Sequence, residues 1–225
     1  MAKTIKSVSN EIKRSQSGLG ISRIKYEYDN KTAANQWLKI YKDHVGDVII
    51  GADAKQAWNS IIKWAMGHEY KLDLTKAIGL IGKTGTGKTM TMYVFNDFIL
   101  IDEIKYRKGD DLIHLRFKMA SAIVIAGDYS VQGYDAIFKY SNYANLCIDD
   151  LGAENTNKKH FGDAANVIQE LIEIRHSNGL LTHFTSNLKP DRINEIYGDR
   201  VYSRIMGNTN IITMNDNDYR LQKNK

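Results

Sequence analysis

Apolar positions fall into three regimes along the 225-residue chain. Up to about Asn30 the chain is polar, basic and Ser-rich, and only Ile5, Val8 and Ile12 recur at helical spacing, giving a weak amphipathic stripe among lysines. Gly18 and Gly20 mark a joint before Ile21. Between residues 31 and 75 the period turns helical. The spacing predicts a helix over 32–41 and another over 54–66, where Trp58, Ile61, Ile62 and Ala65 share one face and Gly67 stops it. Two tryptophans in that second helix read as core packing. From Lys76 onward short apolar runs at 77–81, 113–119, 145–149, 181–186 and 210–214 alternate with helical patterns. The helices are expected at 88–101, in segments running to Tyr140, at 163–176 closed by Ser177-Asn178-Gly179, and after Pro190, with a charged loop at 106–111. Strands separated by helices need right-handed crossovers, so the expected core is a mainly parallel sheet covered on both faces. The domain expectation is a basic flexible arm at 1–30, a helical extension at 31–75 and an α/β domain at 76–225.

Composition narrows the class. At 43% apolar and 25% charged residues, the chain is long enough for one domain that buries about 70% of its unfolded surface. The single cysteine, Cys147, excludes an intrachain disulfide and a zinc-binding cysteine cluster, which fits a reducing cytoplasm. Apolar runs such as 98–101 are far short of a membrane span, and the start has no signal-like stretch. The net charge of +5 is unevenly placed. Lys3, Lys6, Lys13, Arg14, Arg23 and Lys25 against Glu11 carry an excess equal to the whole, and Arg220, Lys223 and Lys225 make the far end basic too. The body between is slightly acidic. A nucleic-acid path must therefore be local, with candidates in Lys105, Arg107, Lys108, Arg116 and Lys118 and in stacking faces from Tyr129, Tyr134, Tyr140 and Tyr143. The arm is either a partner-docking element or a solvated tail.

The chemistry concentrates at strand ends. Gly82-Lys83-Thr84-Gly85-Thr86-Gly87-Lys88-Thr89 matches G-x-x-x-x-G-K-[ST] between a predicted strand and a predicted helix that continues through Met90. Glycines let the loop turn its amides toward the β- and γ-phosphates of a nucleotide, the helix N-terminus adds positive charge, Lys88 reaches phosphate oxygens and the Thr89 hydroxyl can ligate Mg2+. Leu146-Cys147-Ile148-Asp149-Asp150 ends an apolar strand in two acids. Asp149 is expected to hold Mg2+, and Asp150 to orient or deprotonate the attacking water. Glu is commoner in the second place, so Asp150 reaches about one methylene less far. Asn187, after Thr185-Ser186, is the candidate sensor of the γ-phosphate and water, or a cap for the helix at Pro190, or both. Arg200 and Arg204 share a helical face, either as solvated side chains or with one acting in trans on a neighbouring subunit's nucleotide.

The ordered set of Gly82 to Thr89, Ile148-Asp149-Asp150-Leu151-Gly152-Ala153-Glu154, Thr182-His183-Phe184-Thr185-Ser186-Asn187-Leu188, Tyr197-Gly198-Asp199-Arg200-Val201-Tyr202-Ser203-Arg204 and Asp218-Tyr219-Arg220 resembles the AAA+ ATPases of the DnaC type. These are replicative helicase loaders, with IstB-type transposition ATPases as relatives. The resemblance covers about Lys76 to Arg220 and implies a P-loop three-layer α/β sandwich around a five-stranded parallel sheet, with the helical lid reduced or absent. It further implies ATP and Mg2+ as cofactors, ATP hydrolysis, homo-oligomeric rings or spirals, a hexameric DnaB-type helicase as partner, and single-stranded DNA contact. Carried over by position, Arg204 is the arginine finger and Arg220 the second sensor. The alternatives are a transposition helper ATPase and a nucleotide-gated adaptor with negligible turnover.

Overall fold

The computed structural model describes residues 6–7, 20–47, 49–154, 158–160 and 163–215, and these divide into two units. The first gathers the described residues up to Lys76, those from Lys83 to Arg116 and those from Ile212 on. Its helices are α1 (Asn30–Val45), α2 (Ala52–Ala65) and α3 (Lys88–Ile101), and its strands β1 (Lys6–Ser7), β2 (Ile21–Arg23), β3 (Tyr26–Glu27), β5 (Lys105–Lys108) and β6 (Asp111–His114). The Asp29 side chain caps α1 by accepting from Thr32 N at 2.8 Å. Ala33, Trp37, Ile40 and Tyr41 are then buried at intervals of four, three and one, the stripe of a one-sided helix. Trp37 stacks on Phe95 of α3 at 6.1 Å and tilts onto Trp58 of α2 at 6.2 Å. Trp64 meets the edge of Phe95 at 6.0 Å. Both tryptophans of α2 are core residues, as their spacing predicts, and each aromatic contact adds roughly 0.5–1.5 kcal/mol to the area it buries.

Three expectations change in this unit. Residues 21–27 are not arm: Ile21 and Tyr26 are buried, and β2 pairs antiparallel with β5. Arg23 is only 5% exposed, lies 4.2 Å over the Trp64 ring and donates through Nη2 to the Trp64 and Ala65 carbonyls at 3.0 and 2.9 Å. Burial lowers its pKa to about 10, so it belongs to the core and not to a solvated basic tail. The charged stretch 106–111 is not a loop but most of a hairpin of β5 and β6 turned at Gly109-Asp110, with Gly109 at φ 59. Tyr106 is buried while Lys105, Arg107 and Lys108 are partly exposed, so the charged side chains hid a strand. The single strand expected over 113–119 divides into β6 and β7 (Lys118–Ser121), with Leu115 and Phe117 buried in the connection.

The second unit comprises residues 77–82 and 117–211. It holds β4 (Ala77–Gly82), β7, α4 (Ala122–Gln132), α5 (Tyr134–Ser141), β8 (Asn145–Asp149), β9 (Lys158–His160), β10 (Asp163–Ala165), α6 (Val167–Ser177), β11 (Leu181–Ser186), α7 (Pro190–Gly207) and most of β12 (Thr209–Met214). The sheet order is β12-β4-β11-β8-β7, and β4, β11, β8 and β7 run parallel. β4 and β8 are buried almost throughout because they lie inside a sheet rather than on its rim. Ile125, Tyr129, Ile137, Tyr140, Leu171 and Val201 bring α4 to α7 into one core with them.

Arg175, fully buried, is held by carbonyls: it donates to the backbone of Tyr140, Tyr143 and Leu181 at 3.0, 2.6 and 2.7 Å. The helix expected from residue 163 begins at Val167, where Asn166 caps it by accepting from Gln169 N at 3.2 Å. Of the proposed stacking tyrosines, Tyr129 and Tyr140 are buried, Tyr143 packs on the core and Tyr134 is exposed. No helix among the described residues is long and apolar enough to cross a membrane.

Candidate functional site

The second unit brings three strand ends to one edge of its sheet. Ser186 of β11 is level with Ile81 of β4, and Phe184 with Ile148 of β8. Gly82, the acids after Ile148 and Asn187 therefore all leave the sheet at its carboxyl edge, where ligands bind in open α/β sheets.

β4 passes directly into the phosphate-loop sequence. Gly85 and Gly87 adopt φ 84 and 85, a left-handed backbone that side chains with a Cβ resist. Gly87 is also the N-cap of α3, whose first turn carries no acid, so the positive end of the helix is not compensated from within it. Thr86, fully buried, donates from Oγ1 to the Lys83 carbonyl at 2.9 Å, and the Lys88 ammonium donates to the same oxygen at 2.8 Å. Lys88 is 4% exposed, which makes its charge costly unless it meets an anion or several acceptors. Lys83 and Thr84 are exposed, and Thr89 and Met90 are half-buried on the first helical turn.

The acidic edge is held from behind. Thr185 Oγ1 donates to Asp149 Oδ1 at 2.6 Å and accepts from Asp150 N at 2.9 Å. Asp150 sits at φ 52, one of two non-glycine residues at positive φ among those described. Asn187 Nδ2 donates to Asp150 Oδ1 at 3.2 Å, which joins the candidate sensor to the candidate base.

Beyond them, Gly152 N donates to Glu154 Oε2 at 2.9 Å, and the Tyr197 hydroxyl donates to Glu154 Oε1. Burial and the neighbouring carboxylate push the Tyr197 phenol far above its ordinary pKa, so it remains a donor. Gly152, at φ 93, lies where an added Cβ would fall 2.2 Å from Leu188 Cδ1. A larger residue would have to push the Leu188 side chain aside and hold a strained left-handed backbone.

Arg200 and Arg204 lie on α7, which is kinked at Gly198. Both reach one carboxylate of their own chain, Glu173 Oε1, at 3.3 and 3.0 Å. Arg204 is 19% exposed and Arg200 72%. Arg220 lies outside the described residues. Glu154, Thr185 and Tyr197 stand inside the motif segments but spacing gives them no role, and Glu173 lies outside those segments, since all four act by positioning other residues.

The residues fit a magnesium nucleotide. No cluster of three or more His, Cys, Asp or Glu among the described residues could hold a metal alone. The half-buried Asp149 carboxylate suits a hard cation that keeps water and phosphate oxygens as its other ligands.

No protein-family model matches the chain, and no curated protein does. Solved structures do. DnaI matches at 18% identity and TM-score 0.56 over 79% of this chain and 93% of its own. The DnaC helicase loader matches at 19% and 0.53 over 73% and 91%. AMPPCP-bound DnaA from Aquifex aeolicus matches at 18% and 0.51 over 78% of this chain and 51% of its own. The chain shares the α/β fold of the DnaI and DnaC helicase loader structures, built on a five-stranded sheet.

Proposed function

We propose that the chain binds and hydrolyses ATP and, as a homo-oligomer, delivers a hexameric DnaB-type helicase to single-stranded DNA at replication initiation. The observation that carries this reading is the convergence of Gly82, the Asp149-Asp150 pair and Asn187 on one sheet edge, in a chain whose strand β4 leads into the glycine loop. Lys88 and the amides of residues 83–88 would hold the phosphates, and Thr89 and Asp149 would hold Mg2+, which would supply neutralisation of phosphate charge. Asp150 accepts the proton of the attacking water, Asn187 keeps that carboxylate aimed, and ADP and phosphate leave. Arg204 reaches across to a neighbouring subunit, exchanging Glu173 for the γ-phosphate, and Arg220 senses the nucleotide within its own subunit. The helicase and DNA roles rest on the fold shared with the DnaC loader and DnaI.

Two measurements test this. Purified chain mixed with a DnaB-type hexamer is expected to co-elute with it in the presence of ATP; co-elution with a transposase instead would transfer the ATPase to transposition. Arg204→Ala is expected to keep ATP binding while phosphate release falls by about 10³-fold, the scale of a missing arginine finger. Normal release in that variant would return Arg204 to a purely structural pairing with Glu173.

A further inference from the structure

One buried hydroxyl addresses both acids of the site. Thr185 lies at the end of β11 with its side chain fully buried. Its single hydroxyl proton goes to Asp149 Oδ1 at 2.6 Å, and its oxygen accepts the Asp150 N–H at 2.9 Å. The Thr185 carbonyl accepts from Leu151 N at 2.8 Å. Three successive residues of the acidic turn are thus tied to one residue about thirty-five positions later in the chain.

The bonds have separate effects. Donation to one oxygen of Asp149 selects one rotation of that carboxylate. Acceptance from Asp150 N holds a non-glycine residue at φ 52, a conformation that costs about 1–2 kcal/mol and persists only when its surroundings impose it. The Asp150 carboxylate is then aimed by the backbone below it and met by Asn187 at 3.2 Å.

We propose that Thr185 is the positioning residue of the hydrolytic site, setting the Asp149 carboxylate for the cation and the Asp150 backbone for the attacking water. This rests on the ATP-hydrolysis reading above. A hydroxyl is required because it must donate and accept at once, which neither an apolar isostere nor an ammonium can do in the same volume.

Thr185→Val keeps the shape and removes both side-chain bonds; Thr185→Ser keeps the hydroxyl. In the full-length chain, steady-state phosphate release by Thr185→Val is expected to fall about 100-fold while the ATP KM stays within about threefold, the scale of misplacement rather than lost binding. The Mg2+ concentration giving half-maximal rate should rise about tenfold, as for a lost outer-sphere ligand partner. Thr185→Ser should bring both quantities back to within about threefold of the parent. If Thr185→Val shows no cooperative thermal transition, Thr185→Cys, whose thiol is a weak donor, takes its place under the same criteria. Parent-like turnover and Mg2+ dependence in the Val variant would overturn the proposal, and so would equal impairment of Val and Ser. Asp150→Asn, measured alongside, separates the failures. If it is inactive while Thr185→Val is normal, Thr185 alone is misassigned; if it is fully active, or the parent shows no turnover, the hydrolysis reading falls and the proposal with it.

Discussion

The phosphate loop and the acidic edge are built in opposite ways. In the loop, Lys88 and Thr86 both bond the Lys83 carbonyl, five and three residues away, and glycines at positive φ set the turn. At the edge, Asp149 and Asp150 depend on Thr185, Leu151 on Ser186, and Glu154 on Tyr197, partners thirty-five to forty-three residues distant. The loop can form from its own sequence once a strand and a helix flank it. The edge exists only after β8 and β11 have paired and α7 has docked, so its acids become useful only in the finished fold.

Mutations should separate the two. The largest effect is expected in the loop: Lys88→Ala should weaken ATP binding by more than about 100-fold, because one buried cation opposes the phosphate charge. Titration with a fluorescent ATP analogue checks this, and tight binding would remove the loop from the nucleotide site. At the edge the first consequence is structural. Tyr197→Phe leaves Glu154, 8% exposed, short of its hydroxyl partner and should cost about 1–3 kcal/mol. Thermal unfolding should register a fall of about 2–4 °C per kcal/mol, with ATP affinity unchanged. An unchanged midpoint would show that the 149–154 turn does not need α7.

The sequence displayed the loop more plainly than the edge for the same reason. Gly82 to Thr89 and the apolar runs of β4, β8 and β11 carry their information in consecutive residues, and the structure places them as the pattern predicts. Asp149, Asp150 and Asn187 were legible as residues at strand ends. Their connections through Thr185, and those of Arg200 and Arg204 to Glu173, were not, because hydrogen bonds between distant segments leave no period. The β5–β6 hairpin was missed because Lys105, Arg107 and Lys108 flank the one buried ring, Tyr106. The stretch at 21–27 was read with the arm because Arg23 counts as a surface charge in composition and as a core residue beneath Trp64 in space.

A smaller effect is expected at the far end of the loop's own helix. Asp102 caps α3, half-buried, and accepts from Gln36 Nε2 at 2.8 Å. Burial raises its pKa from 3.8 to about 6. The folded chain then binds a proton that the unfolded chain has released, so stability falls as pH rises from about 4 to 6 and is level above that. Asp102→Asn should stabilise the chain at pH 7–8 by about 1 kcal/mol, after allowance for solvent screening of a half-exposed group. Melting curves of the two proteins should coincide below pH 4 and separate toward pH 6. A constant separation at all pH values would place the effect in packing instead.

The decisive measurement is phosphate release from ATP and Mg2+ by the intact chain and by Asp150→Asn, with nucleotide binding measured on the same samples. The proposed hydrolytic function predicts turnover by the parent, an Asn variant that binds ATP with parent-like affinity, and a rate at least about 100-fold lower, the scale of a missing general base. Turnover by Asp150→Asn at the parent rate, or ATP binding by a parent that releases no phosphate, would contradict it.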